Sequence, residues 1–204
     1  MPNTAPSSEA AGAGHASVKK PHVCPWWLGY WLASPVRRLM YRPEKILAGH
    51  VRPGMTVLEP GPGMGFFTLE LARLAGASGR VIAVDVQPRM LAGLTRRARK
   101  AGVFERVDAR LAAPDSMGLA DVAGAVDFTL AFAVVHELPA AAPFFGEVAR
   151  ASKPGARLLV AEPTGHVTAP DYEAELQAAR DAGFTFVESL TLPRSRAALL
   201  ELVR

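Results

Sequence analysis

The chain has 204 residues, of which half belong to the set AVILMFWYC, 21% are charged and one is a cysteine. That length fits one α/β domain with a sizeable core and is too short for two ordinary catalytic domains. The formal surplus of +4 is spread among acidic residues and makes no case for a nucleic-acid partner, while Cys24 alone excludes an internal disulfide or a cysteine metal cluster and points to a reducing, cytoplasmic setting.

Residues 1–18 are rich in Ala, Ser, Gly and Pro and lack a continuous apolar run, so they read as a disordered tail rather than a secretory signal. No apolar run reaches the roughly 18 residues that a transmembrane helix needs. Residues 19–50 carry an aromatic segment in which Trp26, Trp27, Tyr30 and Trp31 would line one broad stripe of a helix. Such a helix suits a lid over a pocket, packing onto a sheet, or a peripheral membrane contact with Arg37 and Arg38 at the headgroups. Arg52-Pro53-Gly54 then predicts a turn into a strand at Thr56–Glu59, followed by a Gly-rich loop and a helix over Phe66–Leu74.

The alternation continues downstream. Val81–Val86 reads as a strand buried on both faces, and Pro88–Lys100 as a helix with a basic outer face and Gly102 as its stop. Strands are expected at Arg106–Leu111, Val126–Phe132 and Arg157–Glu162, with a helix over Ala140–Ser152 ending at Lys153-Pro154-Gly155. A helix over Asp171–Ala182 precedes strands near Phe184–Leu190 and Ala197–Val203. The spacing is that of βαβ units, so residues 51–204 should form a three-layer α/β/α sandwich around a mostly parallel seven-stranded sheet whose last strand is antiparallel.

The first strand runs into Glu59-Pro60-Gly61-Pro62-Gly63-Met64-Gly65. Alternate glycines let the backbone turn sharply and let a ligand lie against it. A dinucleotide fingerprint would want glycine where Phe66 stands, and the Lys-Ser/Thr pair of a P-loop is absent. A nucleoside without phosphates fits better. Asp85, ending the second strand, can accept both hydroxyls of a ribose, and Glu59 would repel phosphates but suits an ammonium group.

The run Val57 to Gly65, with Val84-Asp85, Val126-Asp127-Phe128 and Pro154 to Val160, resembles class I S-adenosylmethionine (SAM) dependent methyltransferases over roughly Pro43 to Phe186. The resemblance implies SAM as cofactor. It makes Gly61, Gly63 and Gly65 the methionine and ribose-side loop, Glu59 a contact near the methionine end and Asp85 the ribose ligand. Val86 and Gln87 would border the adenine, and Ala131 would lie near the sulfonium. Where the family often has an acidic residue after the third strand this chain has Ala113, with Asp115 as a substitute two residues on or a solvated loop residue.

Methyl transfer from a sulfonium rests largely on alignment in a desolvated site, and a base is needed only where the acceptor holds its proton tightly. His136, just past the fourth strand, can serve as that base with Glu137 orienting it, or can bond a loop while Glu137 starts a helix. Glu162 and His166 leave the fifth strand on the same sheet edge, to face the acceptor or support His136 from behind. His136, His166, His22 and Cys24 lack the spacing of a metal motif, and no metal is expected. The expected function is therefore methyl transfer from SAM to a small-molecule acceptor, with no nucleic-acid partner. A non-catalytic SAM-binding protein remains open. A nucleic-acid methyltransferase would want an N/D-P-P-Y/F motif where Ala131-Phe132-Ala133-Val134 stands, and an NAD(P)-dependent oxidoreductase is disfavoured by Phe66.

Overall fold

Seven strands form one sheet in the order β3-β2-β1-β4-β5-β7-β6. They are β1 (Thr56–Pro60), β2 (Arg80–Asp85), β3 (Val107–Leu111), β4 (Val126–Phe132), β5 (Ser152–Pro163), β6 (Phe184–Leu192) and β7 (Ser195–Leu202). The helices are α1 (Pro43–Leu47), α2 (Thr68–Ala75), α3 (Pro88–Lys100), α4 (Ala141–Ala151) and α5 (Ala169–Asp181). This computed structural model describes residues 40–113 and 115–203. The tail at 1–18 and the aromatic segment with His22, Cys24, Trp26, Trp27, Tyr30 and Trp31 lie outside the described residues.

Strands β1 to β5 pair in parallel, and β7 runs antiparallel to both β5 and β6. The period of two along each strand sorts its side chains into two cores. Leu58, Ala131, Leu158, Val160 and Leu200 pack with Phe144 and Phe145 of α4 and Leu176 of α5. Val57, Phe128, Leu130, Leu159 and Leu199 pack on the other face with Leu47 of α1 and Leu71 of α2. Both faces are covered, which is why these strands are continuous in apolar residues.

One boundary differs from expectation. Lys153-Pro154-Gly155 was expected to be only the stop of α4, yet β5 begins at Ser152. Ser152 pairs with Val126, Arg157 pairs with Phe128, and the extra residues bulge between. Gly155 supplies the positive φ (74°) that the bulge requires. No helix among the described residues is long and apolar enough to cross a membrane.

Candidate functional site

The strand order reverses between β1 and β4, and ligands of open α/β sheets bind outside the carboxyl ends of the strands at such a point. Two loops flank it. From β1 comes the turn Gly61 to Gly65, in which all three glycines have positive φ (65°, 53° and 82°). They serve different ends. A Cβ on Gly61 would stand 2.7 Å from Cγ2 of Val134, and one on Gly65 would stand 2.4 Å from Cδ1 of buried Leu94, so these two let the loop seat against the segment that follows β4 and against α3. A Cβ on Gly63 would meet nothing within 4 Å, which leaves a cradle open to a ligand.

Asp85 ends β2 beside that cradle. Its carboxylate accepts hydrogen bonds from the backbone N–H groups of Gly63 (3.2 Å) and Gln87 (2.8 Å), one on each oxygen. The backbone N–H of Val86 also favours the carboxylate, and with about four acceptor positions it keeps capacity for a ribose hydroxyl. Burial pushes the Asp85 carboxyl above its ordinary value, and the N–H bonds from Gln87 and Gly63 only partly offset this. Next to it, Val86 is apolar yet 48% exposed, and with Gln87, Pro88 and Arg89 it lines an open cavity of about 350 Å³. Glu59 is buried at the end of β1. A turn of open backbone, a buried carboxylate and an uncovered apolar wall fit a nucleoside that carries an amino-acid tail.

The remaining expected contacts are placed less favourably. Ala131 is fully buried in β4, paired with Val160, and the chain leaves the strand only beyond Phe132. Asp115 is exposed in a tight turn between the bridge partners Ala113 and Ser116.

From β4 comes the second loop. Ala133 adopts φ 55°, a left-handed conformation that costs a non-glycine residue about 1 kcal/mol or more, and such strain gathers at functional turns. The turn Val135–Glu137 then presents His136, whose Nδ1 hydrogen-bonds Oε2 of Glu162. Glu162 is fully buried at the end of β5, and its Oε1 accepts the backbone N–H groups of Val134 (3.1 Å) and Val135 (2.8 Å). Three donors thus converge on one buried carboxylate, as burial of such a group demands.

The orienting partner of His136 is therefore Glu162, the residue expected behind it, while Glu137 stays on the same turn as a neighbouring charge. The reason is topological: β4 and β5 are adjacent and in register, which brings together side chains 26 positions apart. His166 stands edge-on to His136, with ring centroids 5.6 Å apart. Burial lowers the His136 pKa, but the hydrogen bond to Glu162 and the charges of Glu162, Glu137 and Glu175 outweigh it and hold the imidazole above its ordinary value. Among the described residues no group of three or more His, Cys, Asp or Glu side chains is arranged to hold a metal ion. Sequence reasoning missed Ala133 and Val134, because nothing in an Ala-Val dipeptide signals a left-handed turn.

Comparison with known proteins agrees with this geometry. A family model described as a methyltransferase domain matches residues 52–191. The ribosomal protein L11 methyltransferase of Pelotomaculum thermopropionicum is 36% identical over 118 residues, covering 56% of this chain and 34% of that protein. The arsenite methyltransferase of Halobacterium salinarum is 30% identical over 119 residues, covering 58% of this chain and 30% of that protein. The chain thus spans about a third of the length of these curated relatives. Among solved structures, a SAM-dependent methyltransferase from Aquifex aeolicus superposes with a TM-score of 0.79 at 27% identity, over 89% of this chain and all of that one.

Proposed function

Given that the chain belongs to the class I SAM-dependent methyltransferase family, we propose that it transfers the methyl group of SAM to a small-molecule acceptor that carries a proton on its nucleophilic atom, in a reducing, cytoplasmic setting. SAM supplies an electrophilic methyl on a sulfonium whose positive charge is lost on transfer. The residues of this chain hold and align it. The Gly61 to Gly65 turn receives the methionine and ribose side, with buried Glu59 at the ammonium end. Asp85 accepts from the ribose hydroxyls, and the wall of apolar Val86 and polar Gln87 lies against the adenine. In this reading the aromatic segment within residues 19–50 serves as a lid that excludes water.

The observation that carries the acceptor class is the pair His136 and Glu162 at the exit of β4. An imidazole held by a buried carboxylate at this exit is equipped to take a proton, which an acceptor carrying one requires and an acceptor needing alignment alone does not. In this reading His136 takes the acceptor's proton as the new bond to carbon forms, and Glu162 steadies the resulting imidazolium. His166, edge-on to the same ring, contributes to the wall that the acceptor meets.

The test is a screen of thiols, amines, phenols and metalloid oxyanions, read by release of demethylated cofactor, with wild type and His136→Ala in parallel. Turnover of a protic small molecule, falling on the order of a hundredfold in His136→Ala while SAM affinity holds within a few-fold, supports the reading. Equal turnover by the two proteins removes His136 as the base. Turnover confined to protein or RNA substrates overturns the small-molecule assignment.

A further inference from the structure

Glu162 meets two otherwise separate parts of the site, and its two oxygens divide the work. Oε2 faces Nδ1 of His136, while Oε1 accepts the backbone N–H groups of Val134 and Val135 that follow left-handed Ala133. The side chain of Val134 in turn abuts Gly61 so closely that a Cβ there would come within 2.7 Å of its Cγ2. A continuous chain of contacts therefore runs from the imidazole, through one carboxylate and one strained turn, to the cofactor loop.

We propose that Glu162 is a positioning residue that fixes His136 as the Nδ1–H tautomer and at the same time anchors the turn on which the cofactor loop rests. An oxygen acceptor opposite Nδ1 requires the proton there, which leaves Nε2 with the lone pair that accepts the substrate's proton. The two tasks reside on different oxygens, so they are separable by substitution. This inference rests on the base role of His136 proposed above and deepens it, because it states which ring nitrogen acts and what holds it.

The surroundings are consistent with that division. The charged and titratable groups facing the imidazole are Glu162 from β5, Glu137 from its own turn, Glu175 from α5 and His166 from the loop after β5. The carboxylates all favour a charged ring, so the imidazolium formed on proton transfer is stabilised. On the α5 side, Tyr172 donates to the carbonyl of Val160 (3.1 Å), two residues before Glu162, and fixes β5 where the carboxylate departs.

Two variants and one spectrum test the proposal. Nitrogen-15 NMR of histidine-labelled wild type should show His136 protonated on Nδ1 above its titration midpoint. In Glu162→Gln the amide oxygen still accepts from Val134 and Val135, but the amide NH₂ now faces the ring and must donate to it. His136 should switch to the Nε2–H tautomer, its midpoint should fall by about one unit or more, and SAM affinity should stay within about twofold of wild type. Glu162→Ala leaves both backbone donors orphaned, and SAM affinity should fall about fivefold or more.

A wild-type His136 protonated on Nε2, or a Gln variant with unchanged tautomer and midpoint, overturns the proposal. A Gln variant that loses SAM as severely as the Ala variant overturns the division of tasks. The wild-type spectrum decides the tautomer whether or not either variant folds. Failure of wild type to bind SAM at all is a separate outcome, which sinks the functional reading and leaves the tautomer result standing.

Discussion

Adding one methyl group at Gly63 and at Gly65 should give two different failures. Both residues have positive φ, so alanine at either site brings strain of roughly 1–2 kcal/mol. At Gly65 the new Cβ also falls 2.4 Å from Cδ1 of fully buried Leu94, which must shift within the core to make room. Overpacking of this kind costs about 1–3 kcal/mol. The totals are then about 2–5 kcal/mol for Gly65→Ala and about 1–2 kcal/mol for Gly63→Ala. At about 2–4 °C per kcal/mol for a domain of this size, Gly65→Ala should melt on the order of 10 °C lower and Gly63→Ala only a few degrees lower. Cofactor affinity should rank the other way relative to stability, because the Gly63 methyl enters the open cradle. A tenfold or greater rise in the SAM dissociation constant, worth about 1.4 kcal/mol, is expected at folded temperatures. Thermal melts by circular dichroism and calorimetric titration with SAM measure the two quantities. If Gly63→Ala binds SAM as wild type does, or destabilises the fold as much as Gly65→Ala, the division of labour among the glycines is wrong.

The His136 and Glu162 pair makes turnover and stability respond to pH in opposite directions. Because the folded-state pKa of His136 is raised above its ordinary value of 6.5, the base is neutral only above that raised value, and turnover should fall on the acid side with a midpoint higher than a free histidine gives. The same raised pKa contributes stability that is fully present below about pH 6.5 and lost as pH rises through the folded value; urea unfolding across pH 5.5–8.5 checks the sign against Glu162→Gln. Asp85→Ala should weaken SAM binding by about 1–3 kcal/mol, since it removes charge-assisted bonds to the ribose. An unchanged dissociation constant would contradict Asp85 as the ribose ligand.

What the sequence made legible follows physical reach. Features decided by neighbours in the chain could be read directly. The largely apolar run Val81–Val86 announced a strand buried on both faces, observed as Arg80–Asp85, and Gly61, Gly63 and Gly65 announced a turn against which a ligand can lie. Pairings decided by sheet register could be read only as alternatives. Glu137 is adjacent to His136 in sequence and is expected to orient it, while Glu162 is expected to face the acceptor or support His136 from behind; the adjacency of β4 and β5 selects Glu162. The bulge that draws Ser152 into β5 is likewise a tertiary choice, made by pairing with Val126 over a segment whose Pro154 and Gly155 signal a break. The different uses of the three glycines depended on Val134 and Leu94, which a local pattern cannot show.

Binding of SAM at the turn between β1 and α2 and at Asp85 is decided by calorimetric titration of the full chain with SAM, its demethylated product and NADH. Saturable one-to-one binding of the first two in mutual competition is expected, with no binding of NADH and loss of affinity in Asp85→Ala. Binding of NADH, or no heat from either SAM or its product, would contradict this assignment of the site.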